Sequence, residues 1–209
     1  MCSRTVTRLV LLAGLMAGWT AAAFAFDDKR DGSAMGIGLG FCPVSNWSAQ
    51  TTRTSQSSWD ENKNGWMWQF LLGAGRGQTI FGFETRACYF HSTLVDARLY
   101  EVFVGPVWYQ YLGPVGRSSV LLWGIGADIL HSPDMWSTDG PPEKPSNFDI
   151  GWAWTLGAGY EFRPHWHVTA RLTKGNVKQT SRSIFSTTST KAADFTTTQV
   201  SILVQYLAY

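Results

Sequence analysis

Between Gly151 and Phe162 the chain reads GWAWTLGAGYEF. Trp152, Trp154, Leu156, Ala158, Tyr160 and Phe162 share one parity, and Gly151, Ala153, Thr155, Gly157, Gly159 and Glu161 share the other. After Arg163-Pro164-His165-Trp166 the alternation resumes, with Val168, Ala170 and Leu172 set against Thr169, Arg171 and Thr173. Successive side chains of a strand point to opposite faces, so a period of two predicts a β-hairpin with one bulky apolar face and one small or polar face. The same alternation recurs along the chain and predicts eight strands, at 34–44, 65–74, 79–91, 99–111, 119–131, 148–162, 167–175 and 195–209. The connections alternate in character. Gly75 to Gln78, Leu112 to Ser118 and Arg163 to Trp166 are short, and 92–98 is intermediate, whereas 45–64, 132–147 and 176–194 are long, polar and rich in Ser, Thr, Asn and Pro.

Which face meets water is decided by composition. Charged residues make up 15% of the sequence, against about 25% in ordinary soluble domains, while aromatic residues reach 14% and tryptophans number 11. A soluble barrel of the lipocalin type also alternates, but its outward face is polar and charged. Here the polar parity offers mainly Gly, Ser and Thr, and Lys29, Lys63, Lys144, Lys174, Lys178 and Lys191 fall outside the predicted strands or at their ends. A lipid-facing surface has to exclude lysine in this way. With no continuous spanning helix after residue 25, the reading is an all-β fold: an eight-stranded antiparallel transmembrane β-barrel, an up-and-down meander with short periplasmic turns and long outer loops. Trp68, Trp108, Trp123, Trp152, Trp154, Tyr160 and Tyr206 are the expected membrane-facing aromatics, joined at strand ends by Trp66, Tyr89 and Tyr109.

The N-terminus agrees with export. Arg4 and Arg8 precede an apolar run from Leu9 to Trp19, followed by Ala21-Ala22-Ala23-Phe24-Ala25. A basic region, a short hydrophobic region and an A-x-A site predict a signal peptide over 1–25, leaving 26–209 as the barrel domain. The run is shorter than the roughly 20 residues a membrane helix needs. Removing the leader takes the formal charge from 17 − 15 = +2 to 15 − 15 = 0. A neutral chain carries no electrostatic reason to expect nucleic acid as a partner.

Eight strands enclose only enough room for side chains. The inward parity carries Glu84, Arg86, Glu101, Asp128, Glu161 and Arg171. Charges in a narrow, poorly solvated interior have to be paired, and both signs are present, so these six are expected to form a lumen network of salt bridges and hydrogen bonds. An ion or proton path has no further support. No cofactor is expected: His91, His131, His165 and His167 lack the spacing of a metal motif. Gly36, Gly38 and Gly40 alternate within a strand, where they leave room for side chains opposite. His165 and His167 are expected at the membrane interface on a turn.

EVFVGPVWYQYLG, then SVLLWGIGAD, then LGAGYEFRPHWHVTARL resembles the small eight-stranded outer-membrane barrels of the opacity and attachment-protein type, over most of residues 34–209. That resemblance implies an outer-membrane protein of a Gram-negative-type envelope acting through its loops, as adhesin, receptor or envelope-stabilising protein. Barrels of this family close on an outward aromatic, whereas Tyr209 has the parity opposite to Val200, Ile202, Val204 and Tyr206. NFDIGWAWTLGAGYEF and VTARLTKGNVKQ also resemble the last two hairpins of lipid A deacylases, which are outer-membrane acyl hydrolases. Those place a His and a Ser two residues apart on the seventh strand. Here the segment reads Arg171-Leu172-Thr173-Lys174-Gly175-Asn176, so the catalytic residues are not carried over and none is assigned. The pairs His91-Ser92 and His131-Ser132 put adjacent residues on opposite faces, which is unsuited to a dyad. A composite site would have to recruit Asp134.

The partners expected are therefore outer-membrane lipid and lipopolysaccharide, with an extracellular ligand reached through 45–64, 132–147 and 176–194. Cys42 and Cys88 remain after processing and share the lumen parity at similar depth. They sit on the first and third strands. At about 4.8 Å per strand their Cα atoms should be roughly 9 Å apart after barrel curvature, whereas a disulfide needs less than about 7 Å. Two free, buried thiols are expected.

Overall fold

The structure, a computed structural model, describes residues 30–51, 58–92, 97–131, 148–180 and 191–209; the predicted signal peptide lies outside them. Eight strands follow one another: β1 (Gly32–Thr51), β2 (Ser58–Arg76), β3 (Thr79–Ser92), β4 (Ala97–Tyr111), β5 (Ser118–His131), β6 (Asp149–Arg163), β7 (Trp166–Thr180) and β8 (Lys191–Ala208). Each pairs antiparallel with its sequence neighbours, and β8 returns to β1, closing the barrel. Closure leaves no sheet edge, so every strand has a backbone partner on both sides.

The outer surface is a continuous apolar belt. Ile37, Leu39, Phe41, Leu72, Phe83, Trp123, Ile125, Leu156, Ile202 and Val204 all point outward, with Leu39 as much as 74% exposed. Large apolar groups held at such exposure on seven of the eight strands require a non-aqueous solvent, so the barrel is a transmembrane one. On β3 the belt runs from Phe81 to Tyr89, which spans roughly 20 Å at ~3.3 Å per residue and ~40° of tilt. Trp68, Trp123, Trp152 and Tyr160 are exposed on this face, and Trp108, Trp154 and Tyr206 are partly covered there by neighbours. Trp108 stacks on Trp123 with ring centres 6.2 Å apart, and Trp166 meets Tyr206 edge-on at 5.3 Å. Tyr109 departs from expectation. It alternates with Trp108, so its side chain is fully buried in the lumen instead of facing lipid.

Four strands are longer than the apolar pattern suggests. β1 and β2 stay paired from Ser45↔Lys63 to Gln50↔Ser58, and β7 and β8 pair as far as Thr180↔Lys191. The expected loop 45–64 thus contracts to 52–57 and the loop 176–194 to 181–190. Both of these remnants, and 132–147, lie outside the described residues. Alternation of apolar residues ends where lipid ends, but backbone pairing does not. Beyond the belt the outward positions are Asn46, Ser48, Asn62, Lys174, Lys178 and Thr198. Lysines 63, 174, 178 and 191 therefore do sit within strands, toward their loop ends, with Lys174 paired opposite Trp154.

One irregularity shifts the phase of β1. The register slips between Phe41 and Val44 against β8 and between Cys42 and Ser45 against β2. This β-bulge at Cys42-Pro43 bends the strand and exchanges its faces. Ala34, Gly36, Gly38 and Cys42 point inward before it, and Ser45 and Trp47 after it. Gly36, Gly38 and Gly40 face into the barrel or its wall as expected. A Cβ on Gly38 would lie 3.1 Å from Gln205 Cβ and 3.4 Å from Gln69 Oε1.

The belt assignment predicts a depth-dependent penalty. Ile202, between Phe41 and Ala170, is surrounded by apolar partners, whereas Thr198 lies between Lys174 and Asn46. Ile202→Arg should cost about 2–4 kcal/mol and Thr198→Arg at most about 1. Urea unfolding in lipid vesicles, with the shift in electrophoretic migration between unheated and boiled samples as a second readout, checks this. Equal losses for the two variants would contradict the belt.

Candidate functional site

The lumen is filled from one end to the other, in three levels. At its centre Glu84 on β3 accepts from Arg171 Nη1 of β7 at 2.7 Å and 2.8 Å through its two oxygens, and from Arg86 Nη1 at 3.3 Å. Arg171 Nη2 is also within reach of Tyr109 OH at 2.7 Å, Gln69 Oε1 at 3.0 Å and Gln205 Oε1 at 3.0 Å. Gln69 Nε2 and Tyr109 OH return to Glu84 Oε2, each at 3.0 Å. Arg86 completes its contacts with Thr173 and Thr155, whose hydroxyls are 3.1 Å apart, and its guanidinium lies 5.1 Å from the Phe103 ring centre. One carboxylate thus serves two guanidiniums, contributed from opposite walls. A charged group buried this deeply is tolerable only with such complete pairing.

Toward the loop end, Glu101 on β4 accepts from Trp47 Nε1 at 2.9 Å and from Gln199 Nε2 at 3.4 Å. Asp128 on β5 accepts from Thr197 Oγ1 at 3.1 Å. A side chain at Gly175 would collide with this Asp128 carboxylate and come within 2.6 Å of Thr197 Oγ1, so glycine makes room for the pair. Above them Trp47, Phe90, Leu99, Leu130, Val177 and Phe195 form an apolar lid, fully or almost fully buried. Trp47 meets Phe90 edge-on at 5.0 Å.

At the turn end the organising group is Glu161 of β6. It binds the guanidinium of Arg30 and the hydroxyl of Tyr209, and the His165 amide donates to it at 3.4 Å. Arg30 lies 3.8 Å from the centre of the Tyr111 ring and donates to the carbonyls of Gly113 and Pro114 at 3.1 Å and 3.2 Å. Its position over that ring combines a cation–π contact with the ion pair. Tyr111 OH lies 3.0 Å from His167 Nε2. His165 sits at φ 71°, a left-handed conformation uncommon outside glycine. Its Nδ1 is 3.2 Å from the Leu207 carbonyl, and the Leu207 amide donates to its own carbonyl at 2.8 Å.

The six lumen residues named from sequence are all buried, but they do not make one network. Glu84, Arg86 and Arg171 meet directly. Glu101 and Asp128 lie in the level above, and Glu161 holds the turn end. His165 and His167 are buried rather than interfacial, and Tyr209 turns inward without any bulge at Ala208. Gln69, Gln199 and Gln205 are polar residues on the inward parity, whereas Tyr109 was expected at the lipid face. Arg30 precedes β1 and Trp47 follows the bulge, so no periodic signal marks either.

Cys42 and Cys88 are free thiols, as expected. Their sulfurs are 3.0 Å apart, both buried and unlinked, although β2 separates their strands. Side chains on the inside of a closed sheet converge toward the axis, and the bulge beside Cys42 re-aims it, so the sulfurs meet although a strand lies between.

His91 is exposed on the outer face, and His131 stacks on Phe148 and Tyr100 at ring distances of 4.7 Å and 5.5 Å. Ser132 and Asp134 lie outside the described residues. No group of three or more His, Cys, Asp or Glu among the described residues is arranged to hold a metal ion.

No protein-family model and no curated protein matches the sequence. Among solved structures the chain is similar to Neisserial surface protein A, at 13% identity and a TM-score of 0.43, over 82% of this chain and 97% of that one. It is also similar to the attachment invasion locus protein of Yersinia pestis, at 12% identity and 0.40, over 84% and 99%. A third is the outer membrane protease OmpT from Escherichia coli, at 6% identity and 0.39, over 85% and 97%. The likeness is one of barrel fold.

The central level predicts a sharp asymmetry between single and paired substitution. Glu84→Ala leaves two guanidiniums buried without their carboxylate and should destabilise the barrel by about 3–5 kcal/mol. Adding Arg171→Met removes one stranded charge and should recover part of that loss, a coupling that a double-mutant cycle of urea midpoints measures directly. Additive losses would show that the two groups do not act as a pair.

Proposed function

We propose that this protein is a non-enzymatic outer-membrane barrel whose work is done at its outer rim, in a structural or adhesin-like role. The observation that carries this reading is the filled lumen: an apolar lid, a bonded polar centre and a cork of Arg30 on Tyr111 follow one another along the axis. A barrel of eight strands packed this way offers no continuous aqueous path for a solute. What remains available to partners is the rim, where β1, β2, β7 and β8 rise above the belt and carry Asn, Ser, Thr and Lys outward.

In this reading the short turns face the periplasm, and the segments 52–57, 132–147 and 181–190 face outward. The lipid belt and its aromatics contact outer-membrane lipid. Lys174 and Lys178, just above the belt, stand at the height of lipopolysaccharide phosphates, where a cation is favoured. An extracellular ligand would meet the rim strands together with the connections they carry.

Two measurements test the proposal. In planar bilayers the purified barrel should show no stable conductance steps; regular steps in the wild-type protein would overturn the closed-lumen reading. In cells, shortening 52–57 and 181–190 should leave the heat-modifiable barrel intact while reducing adherence to host matrix or neighbouring cells. Lipid A from expressing cells should keep its acyl chains, and loss of one would instead establish an acyl hydrolase.

A further inference from the structure

Cys42 and Cys88 form a site that the rim-based function does not use. They belong to β1 and β3, which are not hydrogen-bonded to one another, and β2 runs between them. The residue of β2 that pairs with Cys42 is Gly65. A Cβ on Gly65 would lie 3.1 Å from Cys88 Sγ and 2.6 Å from the Tyr89 carbonyl oxygen. The glycine therefore keeps clear the passage across which the two sulfurs meet. The β-bulge at Cys42-Pro43 supplies the second condition, by turning β1 at the residue that has to reach across. The sulfurs are 3.0 Å apart in a pocket shared with Met67 and Leu203. A bond of about 2.05 Å requires them to approach by only ~1 Å.

We propose that Cys42 and Cys88 are joined by a disulfide in the assembled protein, a covalent staple that passes over Gly65 and locks β1 to β3. The proposal goes beyond the rim function and rests on that reading only for export into an oxidising compartment, where such a pair is normally oxidised. The oxidant is a protein or small-molecule disulfide. The thiolate of one cysteine attacks it, forming a mixed disulfide and releasing one oxidant thiol. The second cysteine then attacks the mixed disulfide and expels the other, so two electrons and two protons leave the pair. In the closed barrel both cysteines are buried, Cys42 completely and Cys88 to within 1%. Exchange therefore takes place before the barrel closes, and closure afterwards shields the bond from reductants.

The test uses protein taken from the envelope in its heat-modifiable form, so that export and folding are established independently of the thiol state. It is unfolded in iodoacetamide without reductant, digested with trypsin and weighed. The expected product is peptide 31–53 joined to peptide 87–98, lighter than their sum by two hydrogens. Prior incubation of the folded barrel with dithiothreitol should leave that product intact, whereas reduction after unfolding should replace it with two alkylated peptides. Recovery of both peptides alkylated from the untreated barrel would overturn the proposal, as would either peptide linked to a different thiol.

Discussion

The interior of this barrel is organised by a single carboxylate between two guanidiniums. Eight strands enclose a space that side chains can fill but water cannot usefully solvate, so Glu84, Arg86 and Arg171 have to satisfy one another. Much of the remaining lumen follows from that. Gln69, Tyr109 and Gln205 occupy the other directions around Arg171, and Thr155 and Thr173 do the same for Arg86. The glycines of β1 leave space on the wall where those long side chains end. Because the guanidinium comes from β7 and the carboxylate from β3, the pair also ties together strands that are far apart around the barrel.

The chain meets different surroundings at successive heights, and its composition changes accordingly. Within the belt the outward residues are large and apolar, and above it they are Asn, Ser, Thr and Lys. Strand pairing ignores that boundary, since it depends on backbone groups alone. The result is a wall of β1, β2, β7 and β8 standing clear of the belt, lined on its inner side by Trp47, Val177 and Phe195. This wall seals the lumen and at the same time presents a rigid polar surface outward.

The two ends of the lumen are closed by different means. At the loop end the closure is apolar packing backed by the Trp47–Glu101 hydrogen bond. At the turn end it is ionic, with Arg30 folded in from ahead of β1 and held by Glu161, the Tyr111 ring and two turn carbonyls. Burial of His165, His167 and Tyr209 around the same carboxylate makes this end a polar cluster, in which Glu161 accepts from the His165 amide and the Tyr209 hydroxyl and His167 Nε2 lies 3.8 Å away.

Strand number, antiparallel order, the lipid-facing parity and the identity of the inward charges were all legible in the sequence, because each depends on a period of two repeated eight times and on the exclusion of charge from lipid. The alternation of Trp152, Trp154 and Leu156 with Ala153 and Thr155 separates the two faces, and the scarcity of charge decides which of them meets lipid. Other features were decided only by the closed tertiary structure. Strand ends beyond the belt lose their periodic signal although their backbones remain paired, so β1 continues past Val44 and β7 past Gly175. A bulge reverses the phase of β1 and sends Trp47 inward, and the 3.0 Å approach of the Cys42 and Cys88 sulfurs depends on where those side chains are aimed. Which of six buried charges touch one another is likewise a matter of shear around the barrel: position along a strand gives a residue's face, and only the register between strands gives its neighbours.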